Sequence, residues 1–243
     1  MLIRKYSIVT LILIQFVLFT VDHASADIVR IHGFSANNSP TPEDVSNTGI
    51  VVGSANDINR YRPFYWTQEN GIDSFGSPEG GALSISADGS AVVGYQNTQF
   101  SPPRSAGFVS RGSNFRGTYG QLIRPTSSTR IYSAFGISDD ANIVAGSFID
   151  SDYNYSRLVR WNLEHRTFED LGTLSPGSST RASEISGDGR TIIGIGSIGG
   201  ASLSIRHTDE HGIQSLGDLA NGIGSNRPYA VSADGRLSQD WPL

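Results

Sequence analysis

Cysteine is absent from the 243-residue chain. That removes disulfides, thiolate nucleophiles and sulfur ligands for zinc at once. A domain of this size buries enough apolar surface to do without disulfide staples. Lysine occurs once, at Lys5, and methionine once, at Met1, so nothing beyond the first residues can form a Schiff base. Sustained helical periodicity is missing, and so is any long apolar run after the first two dozen residues. Positive charge is scarce, with 18 Lys and Arg against 23 Asp and Glu and a net charge of −5. Nucleic acid and anionic lipid need a basic footprint and are excluded as expected partners.

The beginning of the chain has the pattern of an address. Arg4 and Lys5 precede an apolar run, Ser7–Val21, and the small residues Ala24 and Ala26 follow. This is the three-part layout of a secretory signal peptide spanning residues 1–26. The run is short for a span of roughly 20 residues, so cleavage after Ala26 is expected, with no integral membrane span left. Losing Arg4, Lys5 and Asp22 makes the charge one unit more negative. The expected location is the cell envelope or outside: periplasm, cell surface or medium. Two further parts are expected, a repeat domain over 27–236 and an irregular tail over 237–243.

What is present is glycine, 28 residues of it, and one recurring motif. "VSNTGIVVG" (Val45–Gly53) is followed by "ISADGSAVVG" (Ile85–Gly94), "ISDDANIVAG" (Ile137–Gly146), "ISGDGRTIIG" (Ile185–Gly194) and "VSADGR" (Val231–Arg236). The serines stand at 46, 86, 138, 186 and 232, a spacing that signals a propeller or solenoid. A second block follows each of the first four copies. Arg62–Gly76, with Trp66, matches Arg157–Leu174, with Trp161, and Ser204–Leu219 puts His207 at the tryptophan position. In the second copy only Tyr119–Leu122 is clear, and Val109 is assigned the tryptophan position.

Each unit reads as four strands. Asp-Gly closes the first hairpin, with positive φ expected at both central residues. "VVG" or "IIG" forms a strand buried on both faces, Phe64-Tyr65-Trp66 an alternating third strand, and Ile72–Phe75 or Ile213–Leu216 the fourth. The fold class expected is all-β: a β-propeller-like array of four-stranded antiparallel blades. It has about four full repeats plus a fragment and is incomplete or open. After Arg236 the repeat demands an apolar strand, but Ser238-Gln239-Asp240 and Pro242 arrive instead. A shortened member of a longer family, with a poorly protected last edge, is therefore expected.

The paired blocks resemble the extracellular repeats of the HAF family. Leu158-Val159-Arg160-Trp161 with Leu171-Gly172-Thr173-Leu174 matches that unit, as do Gly212-Ile213 and Leu216-Gly217-Asp218-Leu219. The histidine of the family's naming motif is absent, with Arg62, Arg157 and Ser202 near its place. The resemblance covers most of Val45–Arg236. It implies an exported bacterial β-repeat protein of autotransporter-passenger type, without implying a catalyst. No translocator barrel is expected, because the repeats run almost to the end of the sequence.

Few constellations suggest chemistry. "HTDEH" (His207–His211) carries two histidines four apart, but its order is not His-Glu-x-x-His and the frame puts it at a turn. Glu164, Glu169 and Asp170 beside His165 could pair as glycosidase carboxylates only across a cleft; the frame makes them solvated turn charges, like Asp139-Asp140 and Asp150–Asp152. The repeated aspartates Asp88, Asp188 and Asp234 lack the ligand density of a calcium loop. A sialidase-type Asp-box fails for want of its tryptophan. Nucleophile-elbow, P-loop and dinucleotide motifs are missing. No catalytic residue, cofactor or metal is therefore expected. Arg60, Tyr61, Arg62, Tyr65, Tyr153, Tyr155 and Arg157 crowd the loops before the third strands, and tyrosine and arginine are favoured anchors of binding surfaces. They form the candidate ligand-binding surface, for an unknown protein or glycan. The expected function is non-enzymatic binding. The alternative is a glycan-acting hydrolase with carboxylates converging at a propeller channel.

Overall fold

A computed structural model describes residues 30–34, 39–57, 60–76, 79–98, 104–112, 115, 119–121, 131–149, 155–217 and 226–236. The leader, Asp150–Asp152, Tyr153 and the tail 237–243 lie outside the described residues. The chain divides into Met1–Arg30 and Ile31–Leu243, and every strand belongs to the second unit.

Four four-stranded antiparallel sheets follow one another, each a meander in sequence order. The first is β1 (Thr41–Val45), β2 (Val51–Asp57), β3 (Arg60–Thr67) and β4 (Gly71–Ser74). The second is β5 (Gly80–Ile85), β6 (Ala91–Thr98), β7 (Arg104–Arg111) and β8 (Tyr119–Gln121). The third is β9 (Ile131–Ile137), β10 (Ile143–Ile149), β11 (Ser156–Asn162) and β12 (Thr167–Gly172). The fourth is β13 (Thr180–Ile185), β14 (Ile192–Ile198), β15 (Ala201–Thr208) and β16 (Gly212–Ser215). Consecutive sheets meet through their first strands, β1 with β5, β5 with β9 and β9 with β13. This is the blade arrangement of a β-propeller.

The core lies between the blades, because alternate residues of each second strand point to opposite neighbours. Val92 packs with Val52, Phe75 and Phe108 against the first sheet. Val93, one residue on, packs with Ile137, Val144 and Trp161 toward the third. Ala145 and Leu158 of the third sheet meet Ile185, Ile192 and Ile205 of the fourth. The "VVG" runs are apolar throughout because both faces are covered. The first sheet differs on its free side. Val45 is 60% exposed, whereas Ile85, Ile137 and Ile185 at the same register are 4–5% exposed.

The serine-aspartate hairpins are closed by their side chains. Ser86 Oγ donates to Asp88 Oδ1 (2.7 Å) and accepts from Ala91 N (3.0 Å), and Asp88 Oδ1 also accepts from Ser90 N (2.8 Å). Ser138 with Asp140 and Ser186 with Asp188 repeat the arrangement. Ser46 pairs with Thr48 in the first copy, and Ser232 with Asp234 in the fifth. Positive φ falls on Gly89 (75°) and its equivalents but not on the aspartates. The expectation of two positive-φ residues is corrected: the aspartate acts as a side-chain cap that spares its backbone the strained region. The hairpins also link sheets. Asn47 N donates to Ala87 O, Asp139 N to Gly187 O and Asp188 N to Ala233 O, at 2.8–2.9 Å. The fifth copy, Val231–Arg236, thus docks on the fourth sheet as the second docks on the first and the fourth on the third. It is not paired as a strand.

Pairing corrects one register. Phe64, Phe108, Val159 and Ile205 face the glycines of the second strands. Two residues on stand Trp66, Ser110, Trp161 and His207, opposite Val51, Val92, Val144 and Ile192. Ser110, not Val109, holds the tryptophan position. Serine has no aromatic ring to align on, so the frame slipped by one.

Candidate functional site

Each first strand carries a β-bulge at the same place, between Pro42 and Asp44, Ala82 and Ser84, Ala134 and Gly136, and Ala182 and Glu184. The bulge drives a carbonyl over the second strand's glycine. A Cβ at Gly53, Gly94, Gly146 or Gly194 would come within 2.0–2.3 Å of that oxygen. Close approach of backbone, not a positive φ, therefore fixes these four glycines. A bulge also re-aims the next side chain, here Asp44, Ser84, Gly136 or Glu184.

Three of these, Asp44, Ser84 and Glu184, gather around a cavity of about 410 Å³ at the hairpin ends of the first strands. Every unit contributes: Asp44 and Asn47, Ser84 and Ala87, Ile137 and Asp139, Glu184 and Gly187, and Val231 and Ala233 of the fifth copy. Its charged lining residues are Asp44, Asp139 and Glu184, all acidic. Asp44 works as a latch. Its Oδ1 accepts from Val45 N (2.8 Å), and its Oδ2 accepts from Ser84 Oγ and Ile85 N of the second sheet, both at 2.9 Å. Glu184 Oε1 accepts from Ile185 N at 3.0 Å and lies where a Cβ on Gly136 would approach to 2.6 Å. Burial pushes the Glu184 carboxyl up to about 7, against the Ile185 N–H, and the charge of Asp44 adds to the rise. The mouth therefore holds one carboxylate fixed by hydrogen bonds and one that takes up a proton near neutral pH.

The arginine–tyrosine residues singled out in the sequence lie elsewhere. In a meander the turn between strands two and three is at the opposite end from the first hairpin. Arg60, Tyr61 and Arg62 flank that turn in the first sheet, and Tyr155 and Arg157 in the third. Tyr61 is 58% exposed. Arg60 pairs with Glu79 (3.5 Å), Arg62 with Asp57 (3.0 Å) and Arg157 with Asp170 (2.8 Å). Tyr65 does not belong to this surface. It is buried against Phe75 and Phe115 and donates to Asp73 Oδ2 at 3.2 Å. Strand alternation turns it toward the second sheet, and only its hydroxyl reaches a polar partner.

Of the histidine and carboxylate clusters, His207 is buried within β15. His211, half exposed, sits in the turn before β16 and is bonded to Thr208. The two do not meet. Glu169 and Asp170 are salt-bridged to Arg160 and Arg157. Among the described residues no three His, Asp or Glu side chains gather as a metal site would require.

Asp44 and Glu184 escaped the sequence reading because they occupy a column that varies: Asp44, Ser84, Gly136, Glu184, Ala230. A variable position directly before a constant Val/Ile-Ser pair is the signal that marks it.

No known family model matches the chain, and no curated protein matches it either. Solved structures do. A TolB protein of Agrobacterium tumefaciens is similar at 16% identity and a TM-score of 0.55, over 74% of this chain and 62% of that one. TolB of Acinetobacter baumannii gives 12% and 0.55, over 76% and 46%. An oligogalacturonate lyase of Vibrio parahaemolyticus gives 10% and 0.51, over 74% and 52%. Identities this low establish the fold, a β-propeller, and nothing of activity. The chain spans between about half and three fifths of the length of these structures. Among the described residues no helix is long and apolar enough to cross a membrane.

Proposed function

We propose that this is an exported, HAF-type repeat protein whose role is non-enzymatic binding, with the ligand entering the acidic mouth on the propeller axis. The observation that supports this is the convergence of five units on one polar cavity. Propellers and other ring folds present ligand sites where their units converge. The leader pattern supports export. Asp44 Oδ1 accepts from its own strand and Oδ2 from the second sheet, so Asp44 serves as a latch between sheets, and Asp139 is the other carboxylate that lines the cavity with Glu184.

Glycan hydrolysis is the second reading. Glu184, raised to about 7 by burial, lies in the range that suits the general acid of a glycosidase. A glycan and protein array probed with the purified chain tests the first reading. Reproducible capture of one ligand class, unchanged in composition after incubation, is the expected result. Release of reducing sugar from a captured glycan, abolished by Glu184→Gln, would replace binding by hydrolysis.

A further inference from the structure

His207 stands where the repeat places Trp66 and Trp161, yet it is not merely a smaller filler. It is 6% exposed, and its ring is set between Ile192 and Ile213 by the pairing of β15 with β14 and β16. Its Nδ1 is buried with no hydrogen-bond partner among the described residues. A neutral imidazole tolerates this, since a bare ring nitrogen is only an unused acceptor. A protonated ring places an N–H⁺ there that has nothing to donate to, a far costlier arrangement.

The surroundings make the protonated form consequential. Arg160 of β11 bridges the third and fourth sheets: its guanidinium holds Glu169 Oε2 of β12 at 2.7 Å and Asp209 Oδ1, in the turn after β15, at 2.8 Å. These three groups are the charges that act on His207. Burial and the Arg160 charge press its pKa below the ordinary histidine value, and Asp209 and Glu169 oppose them without reversing the direction. A positive His207 would compete with Arg160 for the same two carboxylates or draw water into the joint. Either outcome weakens the Arg160–Asp209 link between sheets.

We infer that His207 is an acid-sensitive wedge: protonation of its buried ring loosens the joint between the third and fourth blades. The sign follows from linkage. The folded pKa is depressed, so the stabilising effect of a neutral ring is complete above the unfolded value of about 6.5 and is lost as pH falls below it. Glu184 carries the opposite sign, because its folded pKa is raised, and so does not mimic the effect. The idea is independent of what the axial mouth binds.

The test compares thermal unfolding of the wild-type chain and His207→Trp between pH 7.5 and pH 5. The wild type is expected to lose at least about 2 °C more in Tm over that range than the variant. Proton NMR of the wild type provides a measurement that does not depend on the variant folding. One histidine Cε1–H signal should titrate below about 6.5, with lower hydrogen-exchange protection factors, corrected for the intrinsic pH dependence, at the amides of Arg160, Trp161 and Ile205–Thr208 as the pH falls. Equal pH dependence in wild type and variant would overturn the proposal. So would histidine signals that all titrate at the ordinary value with unchanged protection factors at that joint.

Discussion

Ser186 is completely buried, and its hydroxyl donates to Asp188 Oδ1 while accepting from Thr191 N at 2.9 Å. Ser186→Ala strands that amide, and a loss of about 1–3 kcal/mol is expected in urea unfolding. An unchanged midpoint would mean that water replaces the hydroxyl. The glycines divide by cause. A Cβ on Gly194 would sit 2.0 Å from Arg181 O, so Gly194→Ala should cost about 3 kcal/mol or prevent folding. Gly212 has φ of +62° and open space around it, so Gly212→Asn, which tolerates that conformation, should cost less than about 1 kcal/mol. Equal losses at the two sites would refute the bulge argument.

The element scale shows what the sequence made legible and where it stopped. Hairpins, second strands and blade count were readable because Asp-Gly turns and apolar runs are local signals repeated at one period. The bulge was not readable, since Glu43, Leu83, Phe135 and Ser183 share no side-chain property that marks an unpaired residue. Without the bulge, nothing aimed Asp44 and Glu184 at a common cavity. Tyr65 looked like a surface anchor because its neighbours Tyr61 and Arg62 are exposed or half exposed; alternation buries it. The bulge in β13 has a pH signature. Glu184 is raised to about 7, so the folded state holds a proton that the unfolded state has released. Its stabilising effect is present below the unfolded value and is lost as pH rises through about 7. Glu184→Gln should remove a decline on the order of 2–3 kcal/mol between about pH 4.5 and pH 8, read from urea midpoints across that range. A variant with the wild-type slope would show that Glu184 is solvated and ionised in the fold.

At the scale of the whole molecule, backbone hydrogen bonds stitch the first hairpin to the second, the third to the fourth and the fourth to the fifth serine-aspartate turn. Residues at which the copies differ, among them Asp44, Ser84, Glu184 and Ala230, line the cavity. The Arg–Tyr turns occupy the other end of the blades, so the two candidate surfaces can be separated by substitution. Ala233 lines the mouth from the fifth copy and is exposed, outside every sheet, and a tryptophan there would occupy the cavity without entering a blade core. Tyr61→Ala removes an exposed aromatic of the opposite end. The deciding measurement is the dissociation constant of the array-identified ligand for the wild type, Ala233→Trp and Tyr61→Ala, each checked for unchanged circular dichroism. The axial account predicts at least a tenfold loss for Ala233→Trp and no change for Tyr61→Ala. Full binding by Ala233→Trp, with loss in Tyr61→Ala, would contradict it and move the site to the turns.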